Sequence, residues 1–238
     1  MIIDPPLEEA VFLRRYKRFF ADVVLGDGSE LTIHCANTGS MRHCLNPGAP
    51  CWFSRSDNPK RKLPGTLEMV TTDGGLIAGV NTARSNHLVA EAVKGSVIEE
   101  LQGYSEVRTE VRYGEEKSRI DLLLEDGDAQ CFVEVKNVTL EAGGGLATFP
   151  DAVTTRGAKH LRELMRVVAE GQRAALVYCV QLSGIERVSV AEAIDPTYAA
   201  TLAEAMAAGV EVLAYACKLT PGEIAVERRV DFFLPSAR

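Results

Sequence analysis

Residues 118–139, SRIDLLLEDGDAQCFVEVKNVT, constrain the fold more than any other stretch of the chain. Apolar runs flank the polar segment 125–128, a pattern that predicts a β-hairpin with its turn in that segment. Successive side chains of a strand point to opposite faces, so Glu134 and Lys136 share one face and the valines beside them take the other. The predicted hairpin therefore has an apolar face for a core and a charged face for a site.

The register of this hairpin decides whether Asp121 joins the charged face. We expect a turn with an even number of residues, centred on Asp126 and Gly127. Asp121 then pairs with Phe132 and lies diagonal to Glu134 on the same face. An odd loop without a bulge would turn Asp121 to the opposite face, and the two carboxylates would not share one cation. The even register predicts a divalent metal site.

The composition is that of a folded protein. Of 238 residues, 46% are apolar and 25% are charged, which is normal for globular chains. No basic start followed by a long apolar run opens the sequence, and no stretch reaches the roughly 18 apolar residues of a membrane span. We expect a cytoplasmic protein without membrane contact.

The six cysteines form no CxxC pair, and several lie in apolar runs that resemble buried strands, so we expect reduced, buried thiols. The His-Cys doublets at 34–35 and 43–44, with Cys51 beyond, leave zinc as an alternative because imidazole and thiolate suit that ion. Their spacing matches none of the usual zinc patterns, and packing is the preferred interpretation.

The net charge of −7, taken alone, argues against binding a polyanion. The charge is unevenly distributed, because residues 1–80 hold 9 Lys or Arg and 9 Asp or Glu. The first third is therefore neutral, the rest carries the whole negative excess, and nucleic acid stays compatible with the first third.

Five short strands are predicted in the first third, at 16–25, 31–36, 51–56, 66–72 and 76–80, with Gly- and Pro-rich turns between them. This number and spacing indicate a small barrel of the OB kind, with an SH3-like barrel as the alternative. We expect this barrel to form a domain over residues 1–82, followed by a second, α/β domain over residues 83–238.

Basic and aromatic residues alternate within the barrel segment, as in RRYKRFF at 14–20 and CWFSR at 51–55. Single-stranded nucleic acid requires cations along its phosphates and flat side chains under its bases. We predict a nucleic-acid-binding surface, against the alternative of core aromatics with a solvated basic rim. The predicted contacts are Arg14, Arg15, Lys17, Arg18, Arg42, Arg55, Lys60, Arg61 and Lys62.

A helix is predicted to begin near Asn86, with an apolar face that continues to Leu101. Glu91 lies near the edge of that face. We predict Glu91 as a third metal ligand, against the alternative of a solvated glutamate.

A second amphipathic helix is predicted from Thr155, with Arg156, Lys159 and His160 at or beside its first turn. Cations beside the free N–H groups of a helix start favour an anion. We predict that these three residues contact a phosphate of the nucleic acid, and that Gln181 helps to hold the same nucleic-acid strand. An ion pair with an acid elsewhere is the alternative.

Long blocks of the sequence resemble the sugar fermentation stimulation protein family. They are NTGSMRHCLNPGA at 37–49, SRSDNPKRKLPGTLE at 54–68, VNTARSNHLVAEAV at 80–93, RIDLLL at 119–124, FVEVKNVTL at 132–140 and FPDAVTTRGAKHLREL at 149–164. The resemblance covers nearly the whole chain, which is identified as a member of that family.

Membership implies an N-terminal OB-like β-barrel and a restriction-endonuclease-like, PD-(D/E)xK mixed-sheet domain, α+β overall. It also implies binding to DNA, rather than RNA, with little sequence preference. In the PD-(D/E)xK pattern Asp121 stands for the first acid, Glu134 for the second and Lys136 for the lysine. Ile120 stands where the pattern has proline, which weakens the motif taken alone.

Together these residues predict a Mg²⁺- or Mn²⁺-dependent nuclease with Asp121, Glu134 and Lys136 as its catalytic residues. Two carboxylates and a substrate phosphate are sufficient for Mg²⁺, which keeps several waters. Lys136 would orient water or offset developing charge. The alternatives are a surface ladder of salt bridges and a non-cleaving DNA-binding regulator linked to sugar metabolism. A homodimer is left open.

Overall fold

The N-terminal part of the computed structural model, which describes residues 1–114 and 118–235, is a closed β-barrel. The strand order is β3-β2-β1-β4-β5-β6, and β3 also pairs in parallel with β5, which closes the first five strands. This confirms the predicted OB-like barrel. The strands are β1 (Glu8–Tyr16), β2 (Phe20–Val24), β3 (Glu30–Cys35), β4 (Pro50–Arg55), β5 (Gly65–Thr71) and β6 (Ile77–Gly79).

The strand predicted at 16–25 begins too early, because the chain reverses near the start of that range and only Phe20–Val24 form the strand. Lys17 and Arg18 adopt φ values of 46° and 62°, which belong to turns and not to strands. The strand before this turn, β1, was missed in the sequence. Its outward positions include Val11 and Leu13, so the alternation of apolar and polar residues is hidden.

The remainder of the chain forms a mixed sheet of order β15-β14-β12-β9-β8-β7 and a smaller sheet of order β10-β11-β13-β16. In the larger sheet β9, β12 and β14 run parallel, and the outer pairs are antiparallel. The elements of this part of the chain are α1 (Ser85–Lys94), β7 (Glu106–Tyr113), β8 (Ser118–Asp126), β9 (Ala129–Val138), β10 (Leu140–Gly143), β11 (Leu146–Phe149), α2 (Thr155–Ala169), β12 (Arg173–Val180), β13 (Arg187–Val190), α3 (Pro196–Ala207), β14 (Glu211–Thr220), β15 (Glu223–Arg229) and β16 (Asp231–Phe233).

Helices cover both faces of the larger sheet. Leu88 of α1 belongs to the same buried cluster as Val177, whereas Leu161 of α2 belongs to the cluster that contains Leu176. Neighbouring residues of β12 thus face opposite layers, so both faces of this strand are buried. That explains its continuous apolar run.

Helix α1 is shorter than predicted: it ends at Lys94 instead of continuing to Leu101. Ser96 adopts φ 56°, and the backbone N–H of Val97 donates to the carbonyl oxygen of Ala92 at 2.8 Å. This closure of the last turn is the Schellman arrangement, which here uses serine where glycine is more common.

The backbone of the first residues is bonded to the turn between β14 and β15. The backbone N–H of Ile3 donates to Gly222 at 2.9 Å, and that of Leu7 donates to Pro221 at 2.8 Å. These hydrogen bonds link the start of the first predicted domain, residues 1–82, to the second.

Strand β6 joins the barrel to the second unit. The backbone N–H of Gly79 donates to the carbonyl oxygen of Gln181, and that of Ser183 donates to Ile77, each at 2.8 Å. One buried apolar cluster continues from the barrel interior to the α2 side of the larger sheet. The two units therefore share a core.

The cysteines are buried and unbridged, and Cys35, Cys44 and Cys51 lie in the barrel core. Burial raises the pKa of the Cys44 and Cys51 thiols to about 12. His43 is exposed beside the buried Cys44, so this doublet does not direct both side chains to one ion. None of the helices within residues 1–114 and 118–235 combines the length and the apolar character needed to cross a bilayer.

Candidate functional site

The hairpin between β8 and β9 has a two-residue loop. Asp126 pairs with Ala129, which leaves Gly127 and Asp128 as the loop, and Gly127 adopts φ 59°, a value that glycine tolerates in tight hairpin turns. The loop is even, as predicted, but its centre lies one residue further along the chain. The same residues as predicted therefore share each face of the hairpin. Each residue, however, lies opposite a residue two positions further along the other strand than predicted.

The two strands separate at Asp121. The last paired residues are Leu122 and Val133, and one more step of the ladder would place Asp121 opposite Glu134. Instead, Oδ2 of Asp121 accepts a hydrogen bond from the backbone N–H of Val135 at 2.7 Å. The carboxylate thus replaces a main-chain acceptor where the ladder stops.

Asn86, which the sequence did not predict as a site residue, holds the other oxygen of Asp121. Its Nδ2 donates to Oδ1 of Asp121 at 2.9 Å and to Oε1 of Glu110 at 3.1 Å. Glu110 adopts φ 55° and is skipped in the ladder between β7 and β8. The first turn of α1 thus fixes the orientation of Asp121.

Glu134 is 2% exposed, and its two carboxylate oxygens have different environments. Oε1 accepts a hydrogen bond from Nζ of Lys136 at 2.6 Å and also contacts Nδ1 of His160. Oε2 is buried and has no hydrogen-bond partner among the described residues. One oxygen is therefore satisfied by two donors while the other has none.

His160 supports the acid and is not a surface contact. It is 5% exposed, and its Nε2 accepts a hydrogen bond from Nε of Arg156 at 3.2 Å. The predicted phosphate contact of His160 is wrong, because a ring buried against Glu134 does not reach a ligand in solution. Lys159, also predicted for that role, is partly buried in the same turn of α2.

The two carboxylates differ in pKa. Burial, followed by the charge of Glu134, raises the pKa of Asp121 to about 6. Burial also raises the pKa of Glu134, but Lys136 and His160 together outweigh burial and hold that pKa below its usual value. At neutral pH both groups are ionised, with the ammonium of Lys136 beside Glu134.

Tyr113, at the end of β7, is a further neighbour that the sequence did not predict. Burial raises the pKa of Tyr113, and the charges of Glu134, Glu163 and Asp121 raise it further. The phenol therefore stays protonated. Its oxygen is buried and has no hydrogen-bond partner in the part of the chain that the structure describes.

The donor set fits a hard divalent cation. Among the described residues no group of three or more His, Cys, Asp or Glu side chains is arranged to hold a metal ion. Asp121 and Glu134 instead offer two carboxylates, and the buried Oε2 of Glu134 has no hydrogen-bond partner in the described part of the chain. Mg²⁺ takes oxygen ligands and keeps several waters, so two carboxylates suit it.

Glu91 is not brought into this site, contrary to the prediction. Its carboxylate pairs with the amino group of Met1 at 2.8 Å, and its side chain is 52% exposed. Five residues along an α-helix correspond to a rotation of roughly 140° at 3.6 residues per turn. Because Asn86 faces Asp121, Glu91 on the same helix faces away.

Gln181, predicted to help hold the nucleic acid, is buried instead. It is 1% exposed, and its Nε2 donates to Oδ1 of Asn137 at 2.7 Å and to Oγ of Ser85 at 3.1 Å. It therefore links β9 to the start of α1 and supports the site from within.

A cleft of about 250 Å³ opens beside Lys136 and Asn86, between the two units. Its barrel wall includes Asn37 and Gly39, and Asp151 lies on the opposite side. Oγ of the neighbouring Ser40 donates to Oδ2 of Asp151 at 2.7 Å. The barrel loop is thus tied to the second unit at the rim of the cleft.

A second cleft of about 560 Å³ lies next to the first and shares Gly39 and Asp151 with it. Arg15 and Arg18 line this cleft, opposite the exposed Val153. Two of the predicted nucleic-acid contacts therefore line a cleft that adjoins the one beside Lys136.

The other predicted barrel cations are distributed over the surface. Arg14 pairs with Asp22 at 2.8 Å, and Arg55 forms an ion pair with Glu8. Arg61 donates to the hydroxyl of Thr66 at 2.8 Å. The exposed members of the set also include Lys17, Arg42, Lys60 and Lys62.

Comparisons with known proteins agree with this architecture. Residues 13–79 match the SfsA N-terminal OB domain, and residues 83–223 match the sugar fermentation stimulation protein RE domain. A sugar fermentation stimulation protein homolog of Shewanella loihica is 59% identical over 93% of this chain and 94% of its own length. The homolog of Teredinibacter turnerae is 57% identical, over 94% of this chain and 96% of its own length.

A solved structure of SfsA from Pyrococcus furiosus, in complex with Ca²⁺, has the same fold. It superposes with a TM-score of 0.87 over 98% of both chains, at 28% sequence identity. The second unit is accordingly a restriction-endonuclease-like mixed-sheet domain that follows the OB barrel. The chain belongs to the sugar fermentation stimulation protein family.

Proposed function

We propose that the chain is a divalent-metal-dependent nuclease that hydrolyses phosphodiester bonds of DNA with little sequence preference. One observation carries this proposal: Asp121, Glu134 and Lys136 converge where β8 and β9 separate, and the ionised Glu134 has a buried oxygen, Oε2, with no hydrogen-bond partner among the residues that the structure describes. A buried carboxylate oxygen in that state favours a bound cation.

Asp121 and Glu134 would hold Mg²⁺ or Mn²⁺. Such an ion offsets negative charge on the scissile phosphate and makes a nearby water more acidic. The related protein of Pyrococcus furiosus was solved with Ca²⁺, which supports a divalent cation that prefers oxygen ligands. Asn86 and the backbone of Val135 keep the carboxylate of Asp121 in one orientation.

Lys136 would be the residue that acts on the substrate. Its ammonium group donates one hydrogen bond to Glu134, which leaves further N–H donors for the phosphate or for the attacking water. The side chain also lines the cleft between the units. A positive charge held there lowers the energy of a transition state that gains negative charge.

The adjoining cleft gives a path for the substrate strand. Arg15 and Arg18 line it, and Phe19 at the tip of the same hairpin is 48% exposed. Phosphates contact guanidinium groups, and an exposed ring offers a surface on which a base stacks. We propose DNA as the substrate. We also propose that the protein acts in the cytoplasm, because its cysteines are free and buried.

The test is strand cleavage by the purified full chain with Mg²⁺ or Mn²⁺, on single-stranded DNA, duplex DNA and RNA. Glu134→Ala is expected to lower cleavage at least about 100-fold, in line with the loss of a preorganised charged group. Glu227→Ala, an exposed glutamate, is the matched control and should cleave like the wild type. Equal cleavage by the wild type and Glu134→Ala would refute the assignment.

The alternative is a DNA-binding regulator that does not cleave. It is favoured by the bond between Lys136 and Glu134, because a lysine engaged by an acid also describes a structural ion pair. Under this alternative the protein retards DNA on gels in a salt-dependent manner, and no substrate of the set is cut by any variant.

A further inference from the structure

The two oxygens of Glu134 are not equivalent, and His160 is a cause of the difference. Oε1 is in contact with both Lys136 and His160, whereas Oε2 has no hydrogen-bond partner among the described residues. The last torsion of a glutamate side chain is soft, so one bond from a flexible lysine does not hold the carboxylate plane. A ring fixed in a helix does.

The proton on His160 can be placed from its neighbours. Nε of Arg156 is a donor and never an acceptor, and it lies 3.2 Å from Nε2 of His160. Nε2 must therefore accept, which leaves Nδ1 as the ring nitrogen that carries a hydrogen. Nδ1 is the atom that faces Oε1 of Glu134, so the ring donates to the carboxylate.

This assignment also separates the two donors at Oε1. Nζ of Lys136 lies 3.5 Å from Nδ1 of His160, and both atoms carry hydrogens in this tautomer. They do not bond each other, and each instead directs a hydrogen to Oε1. Arg156, at the exposed surface of α2, thus orients the ring of His160, and His160 in turn orients the buried carboxylate of Glu134.

We propose that His160, held in one tautomer by Arg156, is a positioning residue that engages Oε1 of Glu134 and so reserves Oε2 for the divalent cation. The inference rests on the proposed function, because it takes Glu134 as a metal ligand. It assigns His160 and Arg156 to the support of the metal site and not to substrate binding. Residues that orient metal ligands typically contribute about 10- to 100-fold to metal affinity.

The test is Mn²⁺ binding to the full chain, measured by calorimetry and by the loss of the free-ion electron paramagnetic resonance signal, without substrate. His160→Ala is expected to weaken binding about 10- to 100-fold. His160→Asn is expected to restore most of it, because the asparagine amide N–H occupies the place of Nδ1–H. Circular dichroism at the assay temperature selects folded variants.

A second variant leaves the buried His160 unchanged. Arg156 is exposed, and Arg156→Met removes the donor to Nε2 of His160. This variant is expected to weaken Mn²⁺ binding about fivefold, the equivalent of one hydrogen bond. Imidazole ¹⁵N spectra should show His160 as the Nδ1–H tautomer in the wild type and as a mixture in this variant. Arg108→Met, at an exposed arginine paired with Glu125, is the control.

The outcomes separate this inference from the proposed function. If Glu134→Ala abolishes Mn²⁺ binding while His160→Ala and Arg156→Met bind like the wild type, the metal site stands and the inference is overturned. If Glu134→Ala itself binds Mn²⁺ like the wild type, the metal site and the proposed function fail. An Nε2–H tautomer in the wild type would also overturn the inference.

Discussion

Replacing Asp121 by asparagine should make the metal-free protein more stable at neutral pH. Burial and the charge of Glu134 raise the pKa of Asp121 from 3.8 to about 6, so the folded state holds this proton more tightly than the unfolded state. Between about pH 4 and pH 6 the unfolded carboxyl is ionised and the folded one is not, and stability falls as the pH rises. The full loss above pH 6 is about 3 kcal/mol at 1.36 kcal/mol per pKa unit.

The variant also loses a contact, and this loss is independent of pH. Asp121 accepts hydrogen bonds from Asn86 and from Val135, whereas an asparagine side chain has one acceptor oxygen, so one bond of about 1 kcal/mol is lost. Asp121→Asn is thus expected to be about 2 kcal/mol more stable than the wild type at pH 8 and about 1 kcal/mol less stable at pH 4.

Urea unfolding in EDTA, from pH 4 to pH 8, measures this change of sign. Asp128→Asn, at the exposed tip of the same hairpin, is the matched control and should stay within about 0.5 kcal/mol of the wild type throughout. A constant difference between Asp121→Asn and the wild type at pH 4 and pH 8 would refute the raised pKa. Added Mn²⁺ should stabilise the wild type and the control, but not Asp121→Asn.

Two further predictions concern the barrel. Nε and Nη2 of Arg84 donate hydrogen bonds to the carboxylate of Glu68, at 2.5 and 2.6 Å, and the Glu68 side chain is 1% exposed. Arg84→Met should therefore lower the free energy of unfolding by about 3 to 5 kcal/mol, and a loss below about 1 kcal/mol in urea unfolding would contradict this. Arg18→Ala, at the second cleft, should reduce the magnitude of the slope of log binding constant against log salt by about 0.7, since one phosphate contact to a single strand is lost. Fluorescence anisotropy with a short single-stranded DNA measures the slope, and an unchanged slope would remove Arg18 from the interface.

The acid pair was predictable because it depends on local pattern. Alternation along β8 and β9 and an even loop determine which residues of the hairpin share a face, and an error of one residue in the loop centre does not change that facing. The barrel was predictable for a similar reason, since Gly- and Pro-rich turns mark the strand ends. The prediction failed for the first strand, β1, because Val11 and Leu13 are apolar although they lie on its outward face.

The partners of the acids were not predictable from pattern. Asn86 lies 35 residues before Asp121, and His160 lies 26 residues after Glu134. Which turn of a helix meets the edge of a sheet depends on how the helix packs, and the sequence indicates only its apolar face. Glu91 was chosen at the edge of that face, and the rotation of α1 turned it to the amino group of Met1 instead.

The attachment of residues 1–7 to residues 221 and 222 has a consequence for biosynthesis. Ile3 and Leu7 donate their backbone N–H groups to residues 222 and 221, which are synthesised much later than residues 3 and 7. These two hydrogen bonds can form only after residues 221 and 222 have left the ribosome. Contacts of such long sequence separation slow folding, so the barrel is expected to form during translation before residues 3–7 dock.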